Sequence, residues 1–398
     1  MVQTQSKIRV LVDLLDDIGG SPRSLSAQIS QLDSSEFAFT ITASTLSDQI
    51  NRLAPPGAKV VCAPRFPSKN LLGIFTTAKA WMKILKSEAP DIIISNRASQ
   101  FRFLSPIAAK LSIPLLIVIP GGAPRTAQLA ATKDRTAIAY SAENVAQLLK
   151  SGYPEENVFL CSNRIKLDCS MTTPKPVDNT ELNIAVVGNL KQTTHAGVRD
   201  CIRFFYENAS SSWANVTVHF FGQNLLDPSA SDFEKAMAPE NLDRPENLRF
   251  ISHGWVDNIE TAVVPMDIAI GKGRSVLTSS MLEKPSFVLS EDNGVIPITT
   301  ETVRTLQKTN FTGRQFETDF KPLLEMISTK ETLLAAQDEN TDVARYIKAQ
   351  YLVEGAGETI KMAINKALEP GNRRGTVSAV PGLLHSYYYA VADFFTRR

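Results

Sequence analysis

The sequence predicts an α/β protein of two Rossmann-like, doubly wound domains facing an interdomain cleft, with closing helices at the C-terminal end. Three observations carry that prediction. Short apolar runs alternate with amphipathic helical segments over most of the chain. The alternation stops at residues 168–181, where Pro, Thr, Asp and Asn dominate, and then restarts. Finally, 398 residues exceed one ordinary core, so two domains are the expectation.

In the first domain (1–167) the strand candidates are "IRVLVDLL", "FTITAS", "KVVCAP", "DIIISN", "PLLIVIP" and "TAIAYS", separated by helical segments such as "FTTAKAWMKILKSEAP". Runs of this kind, apolar throughout and bounded by Pro, Asn or Ser, suit a parallel sheet covered on both faces. Ile8 to Leu15 reads as the first strand. Gly19-Gly20 follow it, and Ser21 and Pro22 read as an N-cap and first helical residue ahead of Leu25, Ile29 and Leu32 at helical spacing. Strand, glycine loop and helix start outline an anion cradle, because free amides and the helix dipole point at the loop. A tight turn with no ligand is the plainer reading.

The linker is placed at 168–181. In the second domain (182–340) "LNIAVVGNL" opens a new sheet and ends at Gly188, and "VTVHFFG", "LRFISHG", "MDIAIGKG" and "PSFVLS" follow at βα spacing. After Ile268–Ile270 comes Gly271-Lys272-Gly273-Arg274-Ser275, then a helix through "SVLTSSML". A glycine loop with two cations at a helix N-terminus suits a diphosphate; solvated side chains on a turn are the alternative. Residues 341–370 carry closing helices. In the tail, 371–398, Leu384, Tyr388, Val391 and Phe395 share one helical face between basic ends, which suits docking on another domain or subunit, or a membrane surface, through residues 381–398.

Composition excludes several classes. A hydrophobic content of 43%, 21% charged residues and a net charge of +1 give no general attraction to nucleic acid. The N-terminus lacks an apolar signal region and no uninterrupted apolar run reaches membrane-spanning length, so a cytoplasmic protein is expected. Cys62, Cys161, Cys169 and Cys201 lack C-x-x-C spacing, and His195, His219, His253 and His385 are scattered, so no metal and no redox cofactor is expected.

The order of segments resembles the glycosyltransferases of GT-B fold, in particular the group 1 retaining nucleotide-sugar transferases, over most of residues 7–368. "VDLLDDIGGSPRSL" is similar to their first glycine-rich loop, "PDIIISNRASQFRFLSPIAAKLSIPLLIVIPGG" to their second βαβ stretch, and "AIAYSAENVAQLLKSGYPEENVFLCSNRI" to the last helix of their N-terminal domain. "IAVVGNL" resembles the strand opening the donor domain. "GKGRSVLTSSMLEKPSFVLSEDNGVIPITTETVRTLQKTNFTGR" resembles a subgroup with a Lys-Gly-Arg loop before the donor-site helix and an Asn-Phe-x-x-Arg stretch after it.

The resemblance implies a metal-independent transferase, with a nucleotide-diphosphate sugar as co-substrate and an unidentified acceptor. It implies donor contacts from Gly19, Gly20, Gly188, Asn189, Lys191, Lys272, Gly273, Arg274, Ser275 and Thr278, and names no catalytic residue. The chain departs from the pattern at four places: Asn189 stands at the usual phosphate-binding Arg, His195 or Ala196 at the Lys, Thr278 at the ribose-binding Glu, and Pro120 near a first-domain His. A carboxylate on ribose makes charge-assisted bonds worth roughly 1.5–3 kcal/mol each, so Thr278 is a weaker partner. The departures keep open a catalytically degenerate protein that scaffolds or regulates an active enzyme. Another two-domain Rossmann protein, such as a sugar-nucleotide epimerase or a periplasmic-type binding protein, remains a third reading; the missing G-x-G-x-x-G counts against NAD and the lack of a signal segment against export.

Overall fold

The computed structural model describes residues 6–14, 19–66, 71–122, 129, 132–167, 181–188, 195–209, 212–222, 239, 241–290 and 294–370. Asn189, Lys191, most of the linker and the tail from 371 lie outside the described residues, as do the side chains of His195 and Ala196. The chain divides into two units, residues 1–164 with 353–398 and residues 165–352. The division therefore falls just before the expected linker, and the chain returns to the first unit at Val353.

The first unit holds a seven-stranded parallel sheet. Its strands are β1 (Ile8–Asp13), β2 (Phe37–Ala43), β3 (Lys59–Cys62), β4 (Ile92–Ser95), β5 (Leu115–Ile119), β6 (Thr136–Ala139) and β7 (Val158–Leu160), in the order β3-β2-β1-β4-β5-β6-β7. Every residue of β4, β5 and β6 is buried, as expected of strands covered on both faces. One face packs against α1 (Gly20–Ile29) through Leu25 and Ile29 and against α12 (Gly357–Leu368) through Ile360, Ala363 and Ile364. The other packs against α3 (Leu71–Glu88), with Ile74, Ala78, Trp81 and Leu85 inward, and α4 (Ala98–Lys110), with Phe101, Leu104 and Ala108. The Trp81 indole N–H donates to the Pro64 carbonyl at 2.8 Å, so the ring is buried without an orphaned donor. The remaining helices are α2 (Asp48–Leu53) and α5 (Ala142–Lys150), each capped by a serine hydroxyl, Ser47 and Ser141.

The second unit repeats the plan with six strands. These are β8 (Glu181–Val187), β9 (Asn215–Phe221), β10 (Leu248–Gly254), β11 (Ile268–Gly271), β12 (Ser286–Leu289) and β13 (Val295–Pro297), in the order β10-β9-β8-β11-β12-β13. All pairs are parallel except β12 with the edge strand β13. α6 (His195–Asn208) covers one face through Val198, Cys201, Ile202 and Phe205. The other face meets α8 (Arg274–Met281) and α11 (Lys330–Tyr351), with Val276, Leu277, Met281, Val343 and Ile347 inward. Short α7 (Ile259–Val263), α9 (Val303–Lys308) and α10 (Lys321–Ile327) complete the unit.

Two details differ from the sequence expectation. β1 ends at Asp13, with Leu14 buried beyond it. α1 begins at Gly20 with Gly19 as N-cap, not at Pro22 behind a Ser21 cap. The reason is visible in the partners. Ser21 Oγ accepts from Asn96 Nδ2 at 3.4 Å rather than capping its own helix. Pro22 is tolerated two positions further in, at the third helical residue, because first-turn amides need no intrahelical acceptor.

Candidate functional site

In open α/β sheets, ligands bind beyond the carboxyl ends of the strands where the strand order reverses. In the second unit that place lies between β8 and β11, whose last residues, Val187 and Gly271, are register partners. The loop leaving β11 is tied down by one side chain. Ser275 Oγ accepts from the Lys272 N–H at 3.2 Å and lies 2.8 Å from the Lys272 carbonyl and 3.2 Å from that of Val187, the acceptors open to its proton. A Cβ on Gly271 would stand 2.5 Å from the Val187 carbonyl oxygen and 2.7 Å from Ser275 Oγ, so only glycine lets the strands and loop close this tightly.

Gly273 is the N-cap of α8, with φ 54° and ψ −123°, a backbone region that side chains disfavour. Its N–H donates to the Phe311 carbonyl at 3.0 Å. Asn310 and Phe311 are themselves both left-handed, with φ 55° and 56°, and both are buried. A non-glycine residue in that region costs on the order of 1–3 kcal/mol, and such positions persist where surrounding packing dictates them. The Asn-Phe-x-x-Arg stretch is thus physically part of the loop's support, through the Phe311 carbonyl.

α8 starts with no side-chain cap and no acidic residue in its first turn. That leaves the positive end of the helix dipole uncompensated by its own residues. Two half-buried cations, Lys272 and Arg274, flank it. Arg274 lies 3.9 Å from Glu260 in the first turn of α7, each side chain only 13% exposed, so the guanidinium has an orienting carboxylate. Glu260 was not apparent in the sequence; nothing in its spacing from Arg274 marks it, because α7 and α8 belong to successive crossovers. The loop can therefore receive an anion through helix amides and two cations.

The remaining expected residues fall as follows. Gly188 directly follows β8, its N–H donating to the Phe221 carbonyl at 3.0 Å, with open space where a side chain would stand. Thr278 lies on the buried side of α8, wholly inaccessible, and its hydroxyl has no hydrogen-bond partner. In this arrangement Thr278 offers its hydroxyl to no ligand, the position expected to meet a ribose notwithstanding. Gly197 in α6 is a residue the sequence reading did not single out. A Cβ there would meet the Ser290 carbonyl oxygen at 2.5 Å, so this glycine lets the start of α6 lie against the chain leaving β12.

The first unit has its own reversal point, between β1 and β4. Here the last residue of β1 is Asp13, fully buried, accepting from Ser95 Oγ at 3.1 Å and Thr42 Oγ1 at 3.3 Å. Burial pushes its carboxyl up to about 7, outweighing those two hydrogen bonds and the nearby Arg97 charge. Gly19 and Gly20 start α1 beside it in sequence, and the Asn96 amide reaches Ser21. Asn96 Oδ1 and both polar atoms of Gln100 are buried with no hydrogen-bond partner. All three atoms belong to residues at or just before the start of α4. No group of three or more His, Cys, Asp or Glu side chains suited to a metal ion occurs among the described residues.

No protein-family model matches the chain, and no curated protein sequence does. Solved structures do. The chain is similar to HepE of Anabaena in complex with UDP-glucose, with a TM-score of 0.63 at 12% identity over 90% of this chain and 99% of that one. It is similar to a glycosyltransferase of Rickettsia africae, with a TM-score of 0.60 at 14% identity over 93% and 99%. It is also similar to a putative UDP-N-acetylglucosamine 2-epimerase of Listeria monocytogenes, with a TM-score of 0.54 at 13% identity over 92% and 97%. At such identities the likeness establishes the fold, which is the two-domain α/β architecture of the GT-B glycosyltransferases.

Proposed function

We propose that the chain is a glycosyltransferase that takes its sugar from a nucleotide-diphosphate donor held by the second unit. The observation that carries this reading is the loop Gly271–Ser275: an uncapped helix start at the strand reversal point, with Lys272 and Arg274 beside it. HepE, a fold neighbour solved in complex with UDP-glucose, supports the class of donor. As the glycosidic bond breaks, negative charge grows on the leaving diphosphate. Amides of α8 and the two cations stabilise that charge more than they stabilise the bound donor, and this difference lowers the barrier. Acceptor binding is assigned to the first unit, beside the half-buried Ser21 at the start of α1. Gly188, with Asn189 and Lys191 following it in sequence, is assigned to the donor side.

One observation favours a second reading. The buried Thr278 hydroxyl leaves no carboxylate on α8 for the ribose, as in a protein that retains the fold and has lost turnover. A thermal-shift panel of nucleoside diphosphates and UDP-, GDP- and ADP-sugars separates the two, because a ligand that binds only the folded state raises the melting midpoint by mass action. The transferase reading expects a shift with one nucleotide class and slow hydrolysis of its sugar ester. Stabilisation by no nucleotide at millimolar concentration contradicts it.

A further inference from the structure

α3 turns Ile74, Ala78, Trp81 and Leu85 into the core, and its opposite face is unusual. Leu72, Phe75, Lys79, Lys83 and Lys86 recur at spacings of three and four residues and all are exposed, so they form one stripe. Leu72 is 78% and Phe75 42% exposed, and Leu72 is the most exposed large hydrophobic residue among those described. Thr76, one turn on from Leu72, satisfies its hydroxyl on the carbonyls of Leu72 and Gly73.

The lysines supply the charge of this face. Lys59, Lys321, Lys348, Lys361 and Lys366 each pair with a carboxylate. Lys79, Lys83 and Lys86 have no ion-pair or hydrogen-bond partner among the described residues. The helix's one acid, Glu88, is neutralised by Lys59 at 2.7 Å. A chain of net charge +1 thus concentrates three positive charges and two protruding apolar side chains on a single helix face.

We propose that this face of α3 docks the protein on an anionic lipid surface, the lysines against headgroup phosphates and Leu72 with Phe75 in the acyl boundary. Charge complementarity selects an anionic partner. The protruding apolar pair selects a bilayer over an acidic protein or a nucleic acid, which would engage the lysines and leave Leu72 in water. The inference stands apart from the transferase reading and from the tail beyond residue 370.

Co-sedimentation of the full chain with vesicles of equal parts phosphatidylglycerol and phosphatidylcholine, and with phosphatidylcholine alone, tests it. Binding is expected on the anionic vesicles and is expected to fall with added salt. The triple variant Lys79→Gln, Lys83→Gln, Lys86→Gln should lose about 100-fold in partition coefficient, at roughly fivefold for each lysine removed. The pair Leu72→Ser, Phe75→Ser should lose about tenfold or more. Both variants alter only the solvent face, so their melting points should match the parent. Failure of the parent to bind anionic vesicles overturns the proposal, and so does equal binding by both variants. Loss with the lysine variant alone overturns the lipid assignment, since it describes a surface that reads charge without acyl contact.

Discussion

The two units share a topology and differ in what stands at the reversal point of each sheet. In the first, β1 ends in a carboxyl group, Asp13, which is buried against Ser95 and Thr42. In the second, β8 and β11 end in Val187 and Gly271, and the charges nearby are the cations Lys272 and Arg274, the latter beside Glu260. One backbone plan therefore presents a titratable, hydroxyl-lined end in one unit and a helix start flanked by two cations in the other. The fold supplies the position and the first few residues past each strand supply the chemistry.

The largest test of that contrast is pH. The Asp13 carboxyl is raised by burial from its ordinary value to about 7, so the native state holds this proton more tightly than the unfolded chain does. Its contribution is fully present below pH 4 and is lost as pH rises through 7, at about 1.4 kcal/mol per unit at most. Asp13→Asn removes the titration. Urea unfolding of parent and variant should show the variant gaining on the parent by a few kcal/mol between pH 4 and 7, then running parallel. A difference independent of pH would show that Asp13 is ionised throughout and that its burial does not raise its carboxyl as described.

Glycine provides the next comparison. Gly271→Ala drives a methyl group to 2.5 Å from the Val187 carbonyl oxygen and should cost about 2–3 kcal/mol through overpacking. Gly188→Ala, with nothing within 4 Å of the new atom, should change stability by less than about 0.5 kcal/mol. Equal melting points for the two variants would refute the close approach of β8, β11 and the loop.

These contrasts also show what the sequence could reveal. β1, β8 and β11 were legible because each is a short apolar run closed by polar or glycine residues, and the restart at Leu182 was legible because apolar periodicity lapses before it. β7 and β13, three residues each, are too short to show a period. The Gly271–Ser275 loop was visible as a pattern, whereas its supports were not. The Phe311 carbonyl and Glu260 reach it from separate elements. Likewise Asp13 is readable as a strand end, but Thr42 and Ser95 lie 29 and 82 residues away, and its burial depends on that assembly. Pro22 misled for a local reason: its ring fits several first-turn positions, and the Ser21 hydroxyl is taken by Asn96.

The central claim is that the Gly271–Ser275 loop binds the diphosphate of a sugar donor. Calorimetric titration of the full chain with UDP, and with whichever nucleotide sugar stabilises it most, measures this directly in the parent, Lys272→Ala and Arg274→Ala. The account predicts measurable binding by the parent and affinity lower by about 10- to 100-fold in each variant, the loss expected when a charge-assisted hydrogen bond to phosphate is removed. Binding that is unchanged in both variants, or a parent that takes up no nucleotide at all, would contradict it.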